Sequence, residues 1–309
     1  MRIGIIGAGI AGLSCAAALK RRGHDVVLFD KGRGPGGRMS TRRLTTASGE
    51  VGFDHGAQFL TARDPAFVAQ VDSWAQAGHV ARWPDAGSDG WVGTPAMNAP
   101  VRAMADDADV RWNTRIDMLE LDEAGWHLRG DGIDAGSFDA AVVAVPAEQV
   151  APLIEPHDPA TAAMARATRS DPCWTVMAAY DGRVPIDRDR LVDRNGLASA
   201  VRNSAKPGRS GPEAWVLQAD ADWSRAHLED DPASVEAAIL ALFAAEIGAA
   251  MPSTIATSTH RWRYAKAGVP HQGPVWLADR RLGVCGDWVG GPRVEAAWLS
   301  GQALAAIIA

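Results

Sequence analysis

Cysteine is scarce in this chain of 309 residues, which has only Cys15, Cys173 and Cys285. An odd, sparse set of cysteines in apolar stretches is not a disulfide framework, and their separations do not match the spacing of metal ligands. The sequence also shows no nucleophile–histidine–acid set and no His/Cys cluster with metal-binding spacing. We therefore expect buried, reduced thiols in a cytoplasmic protein, and no bound metal.

The chain also lacks a surplus of positive charge. Its 31 basic and 37 acidic residues give a formal net charge of −6, and lysine occurs only at positions 20, 31, 206 and 266. A nucleic-acid partner normally requires a basic surplus or a basic stripe, so we expect none. An anionic small molecule is compatible with this composition, because a local group of arginines can oppose the global charge.

Long apolar runs are missing too, with the exception of residues 3–19. The glycines of this run fall on a nucleotide-binding spacing, and Lys20-Arg21-Arg22 follows it where a signal peptide would have small residues. We interpret the run as a buried strand followed by a helix, and expect neither a membrane span nor a secretory signal.

The strongest motif that is present lies in this same run. A short apolar strand leads into a glycine-rich turn, a helix and a second strand that ends on an acid. Gly7 permits the sharp turn, Gly9 lets the backbone approach a pyrophosphate, and Gly12 lets the helix pack closely on the strand. The helix amides then face the phosphates, and the acid can accept hydrogen bonds from ribose hydroxyls. The predicted binding residues of this unit are Gly7, Gly9, Ile10, Ala11, Gly12 and Asp30.

Apolar runs and helical periodicity predict the remaining elements. The predicted strands are Arg2–Ile6, Asp25–Asp30, Val110–Asn113, Gly125–Arg129, Asp139–Val145, Trp174–Tyr180, Ala214–Ala219, Ile255–Tyr264 and Leu282–Cys285. The predicted helices are Leu13–Arg22, Ala66–Gly78, Ala160–Thr168, Ala233–Ala250 and Val294–Ile308, and the predicted loops are Lys31–Arg43 and Arg202–Pro212, the second of them mobile. This order predicts an α/β fold in which a discontinuous Rossmann-type cofactor domain (1–62, 97–150 and 275–309) carries an inserted mixed-sheet α+β substrate domain (63–96 and 151–274).

Two further motifs distinguish a flavin from a nicotinamide cofactor. Two glycines precede Arg38, so its guanidinium can reach a phosphate without obstruction, and an apolar strand near the other end closes on Gly286-Asp287. Both motifs resemble those of the glutathione-reductase-like flavoproteins, in the branch shared by amine oxidases and p-hydroxybenzoate hydroxylase. The resemblance implies FAD, with Arg38 at the pyrophosphate, Asp287 at the ribityl hydroxyls and the start of the last helix at the flavin ring. It extends the cofactor-binding set to Lys31, Met39, His55, Gly56, Ala57, Ile116, Gly286, Arg293 and Val294.

Several segments look like those of a narrower group, the bacterial renalases. The segments that carry this resemblance are Lys31–Arg43, His55–Asp64, Trp91–Met97, Asp171–Trp174, His260–Ala265, Cys285–Trp288 and Arg293–Gly301. His55 and Gly290-Gly291-Pro292 depart from the pattern of that group. The resemblance implies a flavin oxidase that takes hydride from 1,2- or 1,6-dihydro isomers of NAD(P)H, releases NAD(P)⁺ and forms hydrogen peroxide from O2. Such a donor requires mainly correct placement against the flavin.

Candidate residues for holding this substrate are Gln58 and Thr61 after a Gly-Ala turn, and Thr94 with Met97 in a second short segment. Trp262 and Tyr264 are two more, and because they alternate on a predicted strand we expect both to face one side of it. Each has a second interpretation, since Gln58 suits a satisfied buried amide equally well and the two aromatic residues suit core packing. His260 and His271 are possible proton carriers or structural residues. Arg202, Lys206 and Arg209 either contact the substrate phosphates from the mobile loop or form a solvated charged loop.

Two other functions are also compatible with the sequence. A flavin amine oxidase would often use a lysine near the flavin, and only Lys206 and Lys266 lie in the predicted substrate domain. A non-catalytic flavin redox sensor would usually carry an added segment for binding its partner, and no segment of that kind is visible.

Overall fold

The computed structural model describes residues 1–47, 49–130, 132–268 and 273–308. Within these ranges the chain forms nineteen strands and eight α-helices. The strands are β1 Arg2–Ile6, β2 Asp25–Phe29, β3 Thr41–Thr46, β4 Gly49–Asp54, β5 Leu60–Thr61, β6 Val80–Arg82, β7 Gly90–Gly93, β8 Asp109–Arg111, β9 Met118–Asp122, β10 Gly125–Gly130, β11 Ile133–Phe138, β12 Ala140–Val143, β13 Asp171–Tyr180, β14 Arg190–Arg194, β15 Leu197–Arg202, β16 Glu213–Ala219, β17 Thr254–Lys266, β18 Val275–Leu277 and β19 Leu282–Val284. The helices are α1 Ile10–Arg21, α2 Pro65–Gln76, α3 Ala99–Asp106, α4 Ala147–Ile154, α5 Pro159–Ala167, α6 Ala221–Ala226, α7 Pro232–Ile247 and α8 Val294–Ile307.

A six-stranded sheet holds the two ends of the chain together, in the order β18-β19-β12-β1-β2-β8. Its pairs are parallel except for β18, which runs antiparallel at the edge. The continuous apolar runs of β1 and β12 are explained by burial on both faces: α1 and α8 cover one face and the β9–β11 sheet covers the other. The chain leaves β1 toward one edge and β12 toward the other, so a crevice opens at their carboxyl ends.

The first and last helices are in direct contact on this sheet. A Cβ built at Gly301 of α8 would lie 2.3 Å from the Ala11 carbonyl oxygen of α1, so only glycine permits this approach. The Ser14 hydroxyl donates to the Trp298 carbonyl at 2.7 Å, and the Gln302 side chain donates to the Ser14 carbonyl at 2.8 Å. The helix that begins the nucleotide motif is therefore completed by a helix nearly 300 residues later in the chain.

A second, five-stranded sheet is antiparallel throughout, in the order β14-β15-β16-β13-β17. Helix α7 covers one face, where Ile239 and Phe243 pack against Trp215. The β3–β4 hairpin covers part of the other face through Val51 and Phe53. This sheet confirms the prediction of a separate sheet containing residues 174–180, 214–219 and 255–264, whereas the division into domains by residue number stays a prediction.

The sequence missed the β3–β4 hairpin and eight other strands: β5, β6, β7, β9, β11, β14, β15 and β18. The predicted loop Lys31–Arg43 was wrong at its end, because Thr41 already pairs with Asp54 in β3–β4. The first helix also begins at Ile10 rather than Leu13. These strands are either only two to four residues long or rich in charged and small residues, so tertiary pairing rather than a long apolar run places them.

The prediction of buried cysteine thiols is confirmed at two of the three positions. Cys15 and Cys285 are fully buried free thiols, while Cys173 is only half-buried on β13, which corrects the prediction for that residue. In the part of the chain that the structure describes, no helix combines the length and apolarity needed to cross a bilayer.

Candidate active site

The turn after β1 forms an open backbone cradle. Gly7 has a φ of +102°, and a Cβ there would lie 2.5 Å from the Ala144 carbonyl oxygen. A Cβ at Gly12 would lie 2.0 Å from the Gly7 carbonyl oxygen, so both glycines are required by the protein itself. At Gly9, by contrast, a Cβ would have no protein atom within 4 Å. The space beside Gly9 is therefore open, as a ligand that approaches the backbone requires.

Helix α1 directs its unpaired amides into that space. Gly9 is the N-cap residue, no side chain caps the helix, and its first turn contains no acid. The positive end of the helix dipole and the free N–H groups of Ile10 and Ala11 favour an anion there.

Asp30 stabilises the turn beside the cradle. Its Oδ2 accepts a hydrogen bond from the Ala8 amide and its Oδ1 accepts one from the Gly32 amide, each at 2.7 Å. Each carboxylate oxygen can accept more than one hydrogen bond, so a ribose hydroxyl is still compatible with this position. Lys31 lies outside the cradle, where its ammonium donates to the Gln149 side chain at 2.8 Å.

The loop that carries Arg38 closes over the start of α1. Gly36 and Gly37 have φ values of +143° and +51°, and a Cβ at Gly37 would lie 3.8 Å from the Gly9 Cα. Arg38 donates two parallel hydrogen bonds to the Asp287 carboxylate, at 2.8 and 2.6 Å. Two predicted cofactor residues, 249 positions apart, are thus brought together, and their individual contacts with FAD stay predictions.

A short turn, His55-Gly56-Ala57, lies against this loop. The Ala57 amide donates to the Arg38 carbonyl at 2.8 Å, and a Cβ at Gly56 would lie 2.0 Å from the same oxygen and 3.4 Å from the Trp262 ring. Close packing on both sides therefore requires glycine at position 56. Met39 and Ile116, which also belong to the predicted cofactor set, are both buried, one in each core of the parallel sheet.

Helix α8 begins at Val294, with Arg293 as its N-cap residue. Glu295 in its first turn is 1% exposed and accepts hydrogen bonds from the amides of Arg63 and Asp64 at 2.6 and 2.7 Å. Arg293 pairs with the same carboxylate at 2.8 Å. Sequence reasoning missed Glu295, which ties the predicted flavin helix to the chain that follows Thr61.

Trp262 and two histidines form an aromatic cluster at the boundary between the hairpin and the five-stranded sheet. The Trp262 ring stacks on the His55 ring at 5.1 Å, and the His260 ring meets Trp262 edge-on at 4.3 Å. The indole N–H donates to the His55 carbonyl at 2.8 Å. Pairing with β13 is irregular between Trp262 and Lys266, so simple alternation does not place the half-buried Tyr264 on the same face.

Both histidines of this cluster are neutral at neutral pH. Burial lowers the pKa of His55 to about 4, and His260 and Arg42 lower it as well. Burial and the charge of Arg42 lower the pKa of His260 to about 4. The prediction that His260 carries protons is therefore disfavoured near pH 7, and His271 lies outside the described residues.

A buried ionic cluster lies behind the turn and anchors part of the predicted loop at 202–212, whose mobility stays a prediction. The Asp54 carboxylate accepts hydrogen bonds from the Lys206 ammonium at 3.1 Å and the Arg209 guanidinium at 2.5 Å. Lys206 also donates to the Gln58 side chain at 3.1 Å. The side chains of Asp54 and Lys206 are 0% exposed and that of Arg209 is 6% exposed, so neither cation is solvated or free to contact a phosphate.

Arg202 departs from its prediction in the same way, because it is buried and pairs with Asp189 and Glu213. The charges of these groups persist inside the protein because they compensate one another. Although burial raises the pKa of Asp54, Lys206 and Arg209 hold it down at about 2. Burial lowers the pKa of Lys206 to about 8, with Asp54 acting in the opposite direction.

The other substrate candidates are held by protein contacts. Gln58 is a satisfied buried amide, since it donates to the Asp54 and Gly56 carbonyls and accepts from Lys206. Met97 is fully buried, and its amide donates to Asp54 at 2.9 Å. The Thr94 hydroxyl donates to the Gly78 carbonyl at 2.7 Å, and Thr61 is half-buried on β5. Their roles toward a substrate stay predictions, and the burial of Met97 does not favour one.

The crevice therefore combines a backbone site suited to phosphate with a neighbouring aromatic cluster. The open space at Gly9, the uncapped α1 and the nearby Arg38–Asp287 pair fit the diphosphate and ribityl groups of FAD. Among the described residues, no group of three His, Cys, Asp or Glu side chains is placed to hold a metal ion.

The fold and this crevice define a Rossmann-type flavoprotein oxidoreductase. Residues 5–73 match the model of an NAD(P)-binding Rossmann-like domain, and residues 72–309 match that of the flavin-containing amine oxidoreductases. The chain therefore belongs to the flavin-containing amine oxidoreductase family, and its cofactor is FAD.

Solved structures confirm the fold. A putative protoporphyrinogen oxidase from Exiguobacterium superposes with a TM-score of 0.75 at 11% identity, covering 99% of this chain and 98% of that chain. A cyclohexylamine oxidase from Brevibacterium oxydans gives a TM-score of 0.72 at 15% identity, with the same coverage of both chains. A putrescine oxidase solved with putrescine bound gives 0.75 at 15% identity and also covers 99% and 98%.

Among curated proteins, the tRNA 5-methylaminomethyl-2-thiouridine biosynthesis bifunctional protein of Magnetococcus marinus is 30% identical over 206 residues. The match covers 50% of this chain and 31% of that protein, and a second protein of the same name, from Ralstonia nicotianae, is covered to 41%. The chain thus spans less than half the length of these relatives.

Proposed function

We propose that this oxidase takes hydride from the 1,2- and 1,6-dihydro isomers of NAD(P)H, releases NAD(P)⁺ and transfers the electrons to O2, giving hydrogen peroxide. Bound FAD supplies the two-electron acceptor. The observation that carries the proposal is the cluster of Trp262, His55 and His260. The half-buried rings of Trp262 and His260 are flat, neutral surfaces beside the predicted flavin turn, and the buried His55 ring supports Trp262 from behind.

Such surfaces suit a dihydropyridine because this donor requires no base. It loses hydride without first losing a proton, so the protein has to orient a planar ring and exclude water. Holding two reactants at reacting distance contributes up to about 7–11 kcal/mol in favourable cases. Trp262 is fixed for that task by its hydrogen bond to the His55 carbonyl and by its contact with Gly56.

An amine oxidase is the second candidate, supported by the family and by the neighbouring putrescine and cyclohexylamine oxidases. Lys206 is the candidate for the lysine that such an enzyme would use. Its pKa of about 8 means that a fraction of its amino groups is neutral at mildly basic pH. Its ammonium is, however, engaged by Asp54 and Gln58 inside the protein.

The deciding experiment mixes the purified flavoprotein anaerobically with 6-dihydro-NAD, with ordinary NADH, or with putrescine and cyclohexylamine. Loss of the oxidised-flavin absorbance is followed in each case. We expect rapid bleaching by the dihydro isomer and none by the amines, followed by one hydrogen peroxide per reoxidation when O2 is admitted. Bleaching by an amine alone would replace this proposal with the second candidate.

A further inference from the structure

Arg42 occupies an unusual position beside the aromatic cluster. It lies on β3 directly opposite Phe53 of β4, and Phe53 is buried against the five-stranded sheet. Cross-strand partners point to the same face, so Arg42 also points toward that sheet. Its neighbour Arg43 points to the outer face, where it pairs with Glu50 at 3.5 Å.

The contacts of Arg42 are all with neutral groups. Nη1 donates to the Ser258 hydroxyl at 2.9 Å, and Nη2 lies 3.4 Å from Nδ1 of His260. Within the described ranges, no carboxylate lies within 4.0 Å of its guanidinium, whereas Arg38 and Arg209 are each paired with an aspartate. Arg42 is therefore a half-buried positive charge without a counterion.

The surroundings do not supply the missing charge. His55 and His260 are neutral near pH 7, and Trp262 is uncharged. The carboxylate of Asp54 is already engaged by two other cations, Lys206 and Arg209. A guanidinium has five N–H donors in a planar fork, and Arg42 uses two of its groups, so donors remain for an anion.

We infer that Arg42 binds a phosphate group of the substrate and thereby selects phosphorylated dihydronicotinamides over the neutral riboside. The inference rests on the proposed function for the identity of the substrate. His260 links the two parts of such a site, since its ring touches Trp262 at 4.3 Å while its Nδ1 faces Arg42. A nicotinamide ring on the aromatic cluster would place its phosphate one ribose away. The fork of Arg42 fits phosphate in two-point contact.

The test compares Arg42→Gln, which removes the charge, with Arg42→Lys, which keeps it. Arg43→Gln is the matched control, because it removes an arginine from the adjacent position on the opposite face. Anaerobic flavin bleaching is measured with 6-dihydronicotinamide as the dinucleotide, the mononucleotide and the riboside. In parallel, binding of NAD⁺ and inorganic pyrophosphate to the oxidised holoenzyme is titrated through the flavin spectrum.

We expect Arg42→Gln to weaken the phosphorylated ligands about 10- to 100-fold, as for a lost charge-assisted hydrogen bond, and to leave the riboside within about twofold. Arg42→Lys should recover part of the loss, and Arg43→Gln should match the wild type. Equal loss with the riboside, or wild-type pyrophosphate binding in Arg42→Gln, would overturn the inference. If no dihydronicotinamide bleaches the wild type, the proposed function fails. The inference then stands only if NAD⁺ and pyrophosphate still bind in an Arg42-dependent way.

Discussion

Replacing Asp54 with Asn tests the buried ionic cluster most directly. The substitution preserves the shape of the side chain but removes the charge that compensates Lys206 and Arg209, whose side chains are 0% and 6% exposed. Removing one partner of a buried ion pair typically costs about 3–5 kcal/mol. The free energy of deprotonating Lys206 gives a similar figure. With a usual pKa of 10.5, a lysine that becomes neutral at pH 7 costs at most about 5 kcal/mol, at ~1.4 kcal/mol per pKa unit.

Lys206→Met should behave differently. Asp54 would keep Arg209 as its partner, and burial already disfavours the charged lysine, so we expect a cost below about 2 kcal/mol. The double variant, in which only Arg209 lacks a partner, should be more stable than Asp54→Asn alone by at least about 1 kcal/mol, which is a coupling energy typical of groups in contact.

The assay is urea unfolding at saturating FAD, because bound cofactor contributes to the stability and must be held constant. Asp109→Asn is the control, since it removes an exposed carboxylate that pairs with Arg111 on the surface and should cost less than about 1 kcal/mol. If Asp54→Asn lies as close to the wild type as this control, the compensation argument is wrong.

Three further outcomes follow from the geometry. Gly9→Ala should leave the free energy of unfolding nearly unchanged but weaken FAD binding, because its methyl group would fill only the ligand space. Gly12→Ala should destabilise the protein, because its methyl carbon would lie 2.0 Å from the Gly7 carbonyl oxygen. FAD fluorescence measures the first effect and thermal melts measure the second. The folded-state pKa of about 4 for His55 and His260 lies below their usual value of 6.5, so the unfolded chain binds more protons between these values and stability should fall as pH drops from 6.5 to 4. The pKa of Lys206, lowered to about 8, predicts by the same sign a rise in stability from pH 8 to 10.5, and urea midpoints in Lys206→Met should lose that rise.

Much of the cofactor domain could be predicted because its determinants are local. The apolar strand Arg2–Ile6 and the glycine spacing after it follow from burial on both faces and from backbone geometry. Gly286-Asp287 could be found because the short motif resembles one in known flavoproteins.

The hairpin and the ionic cluster could not be predicted in this way. Asp54 and Lys206 are 152 positions apart, and nothing in the sequence near either residue indicates a partner. A Gly-, Pro- and Ser-rich segment around Lys206 is typical of an exposed loop, and only the tertiary fold reveals that the side chains of Lys206 and Arg209 are buried beside Asp54. The role inferred for Arg42 could not be predicted for the same reason, because the sequence does not show whether a carboxylate lies beside its guanidinium.

The contact between α1 and α8 has a consequence for synthesis of the protein on the ribosome. The nucleotide motif leaves the ribosome well before the helix that packs against it through Gly301 and Gln302. Contacts between such distant segments form slowly because a long chain must close before they are made. We therefore expect the nascent protein to reach its cofactor-binding shape, and to bind FAD, only after α8 has left the ribosome.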